Sequence, residues 1–343
     1  MRLLFVVPSL RNTGPVNVAL NLCKGINSLS PDIKIDLISF SGGEQENEFK
    51  LFCERVIILN FVSAIVFLQY NRYYDVIHSH CLLPDLLNAF FTRKSKKFST
   101  LHNYIDVDYN YEYGNLKGKL ISFLHKIALR RIGKVVSCSK SVSDHVRFNY
   151  RLCTDFVRNG VLESDKKNKC NNNAINFLMV GVFNKRKNHE VAINAFINAK
   201  IYNSNLTIIG DGPLWGEMRD KYSLQENINF IGKVNNPRDY MCQCDVFLSS
   251  SLAEGLPMAM IESMSESLGY IVSDIPPHRE IYEICPFSGV LVENNIHGFQ
   301  RAIEDIDIVK IKKMKLHAIS VFLSNFTAKH MSSEYIKLYQ GHI

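Results

Sequence analysis

No apolar run in this sequence approaches the roughly 20 residues that a membrane-spanning helix needs. The longest candidate, Ile57 to Leu68, is interrupted by Asn60 and Ser63. The opening residues, MRLLFVVPSL, lack the basic flank and small-residue cleavage pattern of a secretion signal and read as a first strand. The nine cysteines are scattered and form no CxxC pair, the closest two being Cys242 and Cys244. A reduced, cytoplasmic compartment fits that usage. No GxGxxG follows the first strand, so the dinucleotide fingerprint is absent. The formal net charge of +7 is the only feature pointing toward nucleic acid, and nothing else supports that class of partner.

With 46% hydrophobic and 21% charged residues, the 343-residue chain can bury a sizeable core and is long enough for two ordinary domains. Charge is unevenly spread. Residues 1–170 hold 24 Lys+Arg against 15 Asp+Glu and the remainder 16 against 18, so the two parts carry +9 and −2. Much of the excess lies in TRKSKKF (92–98) and KGKLISFLHKIALRRIGK (117–134). The second run has apolar residues at 120, 123, 124 and 127, which is helical spacing. It fits a core helix with a solvated basic face, and equally a face that rests on anionic lipid.

Short apolar runs alternate with longer amphipathic ones in both halves. Strands are expected at LLFVV (3–7), IDLIS (35–39), VIIL (56–59), VIH (76–78), FSTL (98–101) and KVVS (134–137), then at NFLMV (176–180), LTIIG (206–210), INFIG (228–232), VFLS (246–249), YIVS (270–273) and GVLV (289–292). Most are β-branched and unalternated, as strands covered on both faces should be. Helical segments between them predict βαβ units and two parallel sheets. The polar, asparagine-rich ESDKKNKCNNN (163–173) reads as a linker. The domains are thus expected at 1–165 and 175–325, joined by 166–174, with a last helix in 326–343 crossing back to the first domain.

In open parallel sheets ligands bind beyond the carboxyl ends of strands, beside helix N-termini. After LLFVV comes PSLRNTGPVNVAL, where Gly14 lets backbone approach an anion or a sugar. After NFLMV comes GVFNKRKNHEVAINAF, in which Lys185, Arg186 and Lys187 precede a helix that Asn188 is placed to cap. Amides and dipole favour an anion there, although a basic loop is also ordinary solvated surface. After VFLS comes SSLAEGLPMAMIE. Pro257 suits a first helical position, which puts Glu254 in the loop and Glu262 in the second turn. Carboxylates beside a phosphate site repel the phosphate, so they must accept hydrogen bonds from neutral donors such as hydroxyls. Two of them around one phosphate site point to a nucleotide sugar. The plainer alternative is a helix-capping Glu254 and an exposed, polar Glu262.

The run SSSLAEGLPMAMIESMSE, with its E-x7-E spacing, resembles the donor-binding signature of glycosyltransferase family 4. VGVFNKRKNHEVAINAF, LTIIGDGP, INFIGKV and SDIPPHREI match that family in order, as do DVIHSH, STLHN, VVSCSKSVSDHV and VRNGV in the first half. The resemblance implies an α/β protein of two Rossmann-like domains whose parallel sheets face across a cleft, the B-type glycosyltransferase fold. It implies that Glu254 faces the hydroxyls of the transferred sugar, that the Gly255 and Leu256 amides lie near sugar and phosphate, and that Glu262 holds the ribose diol. Lys187 takes the diphosphate-binding position, and His102 reaches the sugar from the first domain. Gly14 approaches the diphosphate, and Lys233 follows the base-contacting strand. The arginine usual after the family's glycine is missing, since Val182 follows Gly181, and Arg186 or Lys185 stands in for it.

The reaction so implied is retaining transfer, in which a nucleoside diphosphate leaves the anomeric carbon and the acceptor hydroxyl enters on the same face. No metal and no cofactor are expected. Asp106-Val107-Asp108 has Asp-x-Asp spacing but lies in the acceptor half. His78 and His80 alternate at a strand end, so at most one faces the cleft, and packed histidines are expected rather than a zinc site. Trp215 and the group YIDVDYNYEY (104–113) fit sugar stacking and a mobile acceptor loop, or ordinary packing. A sugar-nucleotide epimerase of the same architecture and a non-enzymatic nucleotide-binding module are the rivals. The basic first half favours a lipid-diphosphate-linked glycan as acceptor, in surface polysaccharide assembly, with the protein peripheral at the inner face of the plasma membrane.

Overall fold

The computed structural model of the protein describes residues 1–164 and 174–341. It divides into two compact units, Met1–Leu162 with Phe326–Ile343, and Glu163–Asn325. The expected linker falls outside the described residues apart from its ends. Among the described residues no helix is long and apolar enough to cross a membrane.

The first unit holds β1 (Arg2–Val7), β2 (Lys34–Ser39), β3 (Arg55–Ile58), β4 (Val76–His80), β5 (Lys96–Leu101), β6 (Lys134–Ser137) and β7 (Asp155–Phe156). Their order in the sheet is β3-β2-β1-β4-β5-β6-β7, every pair parallel. The second unit holds β8 (Ile175–Val180), β9 (Ser204–Ile209), β10 (Ile228–Gly232), β11 (Val246–Ser249), β12 (Gly269–Ser273) and β13 (Gly289–Val292), in the order β10-β9-β8-β11-β12-β13, again all parallel. All twelve expected strands are present, within two residues at each end. Leu3 to Val7 are buried to the last residue because helices cover both faces of the sheet.

In each sheet the strand order reverses once, between β1 and β4 and between β8 and β11. Crossover helices leave opposite faces there, which opens a crevice beyond the strand ends. The loops after β8 and β11 therefore meet. Close approach holds the β8 loop down: a Cβ on Gly210 would lie 1.9 Å from the Gly181 carbonyl oxygen, and one on Gly212 would lie 2.7 Å from that of Phe183. Both glycines have φ near +150°, which side chains rarely adopt.

The structure decides several alternatives that the sequence left open. YIDVDYNYEY is not a loop, since Ile105–Tyr113 is a helix packed on the next one, Asn115–Arg131. That second helix is no ordinary core helix either. Its buried residues are Gly118, Ser122, His125, Ala128 and Leu129, while Leu120, Phe123 and Leu124 are exposed. Trp215 is packing: its ring meets Phe183 edge-on at 4.8 Å and Phe230 at 5.5 Å.

Within the first unit the final helix, Ala328–Gln340, lies on Gly14–Leu29. A Cβ on Gly25 would come 2.1 Å from Ser332 Oγ and 2.6 Å from the Ala328 carbonyl oxygen, so the two helices touch almost backbone to backbone. Gly25→Ala is expected to cost about 1–3 kcal/mol through overpacking. Gly216→Ala, in a helix with nothing within 4 Å of the new methyl, should be neutral or stabilising. Melting temperatures of the two variants against the parent check the contrast; equal losses would show that the close contact is relaxed in solution.

Candidate active site

Glu254 sits in the loop after β11 and is 8% exposed. A buried carboxylate must be compensated, and this one is triply so. Lys187 Nζ donates to Oε1 at 2.5 Å, Ser251 Oγ to Oε1 at 2.7 Å and Arg186 Nη1 to Oε2 at 3.1 Å. Burial opposes its charge, but Lys187 and then Arg186 outweigh it and bring the carboxyl down to about 2. Its donors are thus two cations and one hydroxyl, not neutral groups alone as expected. The nearest opposite charges lie in the facing loop, and desolvation makes that pairing the cheapest compensation.

The two loops are also joined through backbone. Leu252 N–H donates to the Arg186 carbonyl at 2.8 Å, Ser250 Oγ to that of Asn188 at 2.7 Å, and Arg186 Nη1 to that of Ala253 at 2.8 Å. Asn188 directly precedes the helix His189–Ala199, as expected, but adopts a left-handed conformation and makes no side-chain cap. Lys185 is exposed, and among the described residues the ion pairs of Glu254 are with Arg186 and Lys187. Of the two cations offered for the missing arginine, only Arg186 joins Glu254.

Glu262 lies in the helix Met258–Ser265, which starts one residue after Pro257. Its carboxylate has no hydrogen-bond partner among the described residues, and burial raises it to about 7 against a weaker pull from Arg238. The two glutamates of one motif are thus displaced in opposite directions. Gly255 and Leu256 are buried between them. Lys233 is exposed after β10, whose register shifts between Phe230 and Gly232.

Beneath the Glu254 loop lie residues that sequence reasoning left without a role. Asn294 Nδ2 donates to the carbonyls of Ser250 and Ser251, both at 3.1 Å. Ser273 Oγ donates to the Ser251 carbonyl at 2.7 Å. His278 Nδ1 donates to the Ser273 carbonyl at 2.8 Å, which fixes its tautomer, and burial lowers the ring to about 4. His278 stands within SDIPPHREI, so the quoted motif was the available signal. His189 stacks on Phe183 at 4.2 Å.

In the first unit His102 follows β5. Its Nε2 shares a hydrogen bond with His80 Nδ1 at 2.9 Å, and burial lowers its ring to about 3, so it is neutral near pH 7. His80 was the partner that sequence reasoning missed. His78 and His80 do not alternate: two residues apart on β4 they share a face, their rings stacked at 4.6 Å. Both are fully buried, and His78 bonds Tyr339 and Thr100 at 2.6 and 2.8 Å. Gly14 opens the helix Gly14–Leu29, with nothing within 4 Å of where a Cβ would stand. Asp106 bonds His145 at 2.9 Å and Asp108 bonds Asn103 at 2.9 Å, so each carboxylate of the Asp-x-Asp triplet already has a structural partner.

Residues 161–315 match the family model described as Glycosyl transferases group 1, a span holding Lys187, Glu254 and Glu262. The chain is 26% identical over 363 residues to the O-antigen biosynthesis glycosyltransferase WclY of Escherichia coli, covering 99% of this chain and 98% of that protein. It is 32% identical over 147 residues, 40% of each protein, to the N-acetylgalactosamine-N,N'-diacetylbacillosaminyl-diphospho-undecaprenol 4-alpha-N-acetylgalactosaminyltransferase of Campylobacter jejuni. Among solved structures, Anabaena Alr3699/HepE in complex with UDP and glucose superposes with a TM-score of 0.79 over 99% of both chains at 15% identity. The lipopolysaccharide outer core galactosyltransferase WaaB superposes with 0.75 over 100% of both, also at 15%. The fold is the two-domain B-type glycosyltransferase fold. The protein is an enzyme, a glycosyltransferase, and nothing in these likenesses supports an epimerase.

The opposite shifts at Glu254 and Glu262 carry a stability signature. A depressed carboxyl contributes stability that is present above its unfolded value near 4.5 and lost as pH falls toward 2; a raised one contributes below 4.5 and loses it as pH rises through 7. Glu262→Gln should therefore be about 1–2 kcal/mol more stable than the parent at pH 8 and equal to it at pH 4. Glu254→Gln should be less stable at pH 7 by about 1–3 kcal/mol. Denaturant titrations at the three pH values decide; Glu262→Gln without gain at pH 8 removes the buried-acid reading.

Proposed function

We propose that this glycosyltransferase is a retaining enzyme of family 4 that moves a sugar from a nucleotide sugar to a lipid-diphosphate-linked glycan in O-antigen or capsule-type polysaccharide assembly. The observation that carries this reading is Glu254 held by Lys187 and Arg186 where the sheet order of the second unit reverses. That is the position in an open parallel sheet where a diphosphate meets helix amides and cations. The names of the relatives support the pathway, and the Campylobacter enzyme's diphospho-undecaprenol acceptor supports the class of acceptor. The UDP and glucose in the Anabaena structure support the class of donor.

In this reading Lys187 and Arg186 serve two partners. Glu254 holds them on one side, and on the other they meet the diphosphate as charge grows on its departing oxygen. Such groups stabilise the transition state without moving, because the carboxylate has already oriented them. Glu254 keeps lone pairs for the hydroxyls of the transferred sugar, and the Gly255 and Leu256 amides lie toward sugar and phosphate. Glu262, with no hydrogen-bond partner among the described residues, takes the ribose diol. Gly14 and Lys233 contact diphosphate and base. His102, neutral and steadied by His80, is the first unit's candidate for contact with a sugar. The acceptor hydroxyl then enters on the face that the nucleoside diphosphate leaves. Lys187 and Arg186 carry the leaving-group charge, so no metal is required.

Glu262→Ala should weaken nucleoside diphosphate binding by about 1.5–3 kcal/mol, the worth of a hydrogen bond to a charged acceptor. Calorimetry with UDP, GDP and ADP tests this, and an unchanged affinity rejects the ribose assignment. Transfer is tested by supplying a panel of UDP-, GDP- and ADP-sugars with extracted lipid-linked glycans in EDTA, and reading the anomeric configuration of the product by NMR. Retention of configuration in EDTA is expected. Inversion, or activity that returns only with manganese, sinks the mechanism.

A further inference from the structure

A row of histidine rings runs through the interior of the first unit to the carboxyl end of its sheet. His78 and His80 stack at 4.6 Å on β4, and His80 and His102 at 5.2 Å. His78 is anchored at both nitrogens, Nδ1 at 2.6 Å from the Tyr339 hydroxyl and Nε2 at 2.8 Å from that of Thr100. The Phe5 ring, on β1, lies 5.9 Å from that of His80, which has no exposed surface. His80 Nδ1 meets His102 Nε2 at 2.9 Å, while His80 Nε2 is buried with no hydrogen-bond partner among the described residues. His102 itself is half-buried, and its carbonyl accepts from the Cys138 thiol at 3.2 Å. Its Nδ1 has no hydrogen-bond partner among the described residues.

Counting protons restricts what this row can be. Burial lowers both rings, His102 to about 3 and His80 well below its ordinary value, so near pH 7 each carries a single N–H. One of those two protons must lie between His80 Nδ1 and His102 Nε2, because two lone pairs do not bond. If His102 supplied it, the proton of His80 would sit on Nε2, an N–H sealed in the interior with nothing to accept it. If His80 supplies it, only a lone pair is left unfilled there. Protein interiors tolerate an unfilled acceptor more often than an unfilled donor. The second arrangement also leaves the proton of His102 on Nδ1, the nitrogen that remains free.

We propose that His80 is a positioning residue: it donates its Nδ1–H to His102 Nε2 and so holds His102 as the Nδ1–H tautomer, a hydrogen-bond donor to an oxygen of a bound sugar and not a base. The use of that donor rests on the proposed sugar contact of His102; the tautomer itself does not. A sugar hydroxyl or ring oxygen offers the lone pair that such a donor meets. With Nε2 filled by His80 and Nδ1 already protonated, His102 has no lone pair for an acceptor hydroxyl and takes no proton from one. The asparagine amide nitrogen is attached to Cγ, as Nδ1 is in histidine. His80→Asn therefore keeps a donor in place, whereas His80→Leu removes it and frees His102 to exchange tautomers.

The test begins with the full chain carrying isotopically labelled histidine, read by long-range proton–nitrogen correlation NMR. Signals of His102 and His80 are assigned by their loss in His102→Ala and His80→Asn. Protonation at Nδ1 and not at Nε2 is expected for both rings. A proton on His102 Nε2, or on both of its nitrogens, overturns the proposal without recourse to any His80 variant. In transfer assays with the panel of nucleotide sugars and extracted lipid-linked glycans, His80→Leu should lower kcat about tenfold, the worth of one hydrogen bond, while KM for the donor stays within about twofold. His80→Asn should recover most of that loss. Equal losses in the two variants, each still melting cooperatively, would show that His80 only fills space and also overturn the proposal. Parental turnover in His102→Ala rejects the sugar contact, and with it the use of the donor, whatever the spectrum shows. The spectrum, by contrast, tests the bond between His80 and His102 alone.

Discussion

A carboxylate taken out of water must keep its counter-charges, and in the second unit that requirement organises everything around Glu254. Lys187 and Arg186 come from the loop after β8, the carboxylate from the loop after β11, and neither loop could be placed alone without leaving a buried charge unpaired. The backbone bonds between the loops, and the Asn294 and Ser273 contacts beneath, hold the same geometry from below. Stability and site geometry are consequently one network, and a substitution that loosens the loop also misaims the cations.

The two glutamates of the motif show how environment, not residue type, sets chemical behaviour. Glu254 is buried and Glu262 half-buried around the start of one helix. Glu254 has two cations within reach and is pulled down to about 2, while Glu262 has none bonded to it and is lifted to about 7. The second therefore carries an unfavourable charge at neutral pH that a donor of hydrogen bonds would relieve.

The first unit uses buried polar groups differently. His78, Thr100, Tyr335 and Tyr339 form a hydrogen-bonded cluster that ties the C-terminal helix to the sheet. His80 and His102 extend the ring stack to the strand end. Asp85 and His125 set the roll of the helix Asn115–Arg131. In each case a satisfied polar contact in the interior dictates what faces outward, and hydrophobicity alone would have dictated the reverse for that helix.

Strands were legible in the sequence because parallel strands covered on both faces must be continuous β-branched runs; only the two-residue β7 carried too little signal. Loop positions after the strands followed from the same pattern, and so did the neighbourhood of Glu254, Glu262 and the cations of 185–187. Roles within those loops came from resemblance, because no spacing rule links Lys187 to a glutamate 67 residues away. Period and pattern misled where tertiary contacts decide. YIDVDYNYEY has almost no amphipathic signal, and packing on the following helix makes it helical. The period at 120, 123 and 124 identified a helix but not its facing, which the Asp85–His125 bond settles from 40 residues away. By itself the sequence determined which segments are strands and where their loops fall, since those follow from local burial and periodicity. Which charges meet, which carboxyl is lowered and which is raised, and which face of a helix looks outward were left to the tertiary structure, because each depends on partners distant in the chain and on the water they exclude.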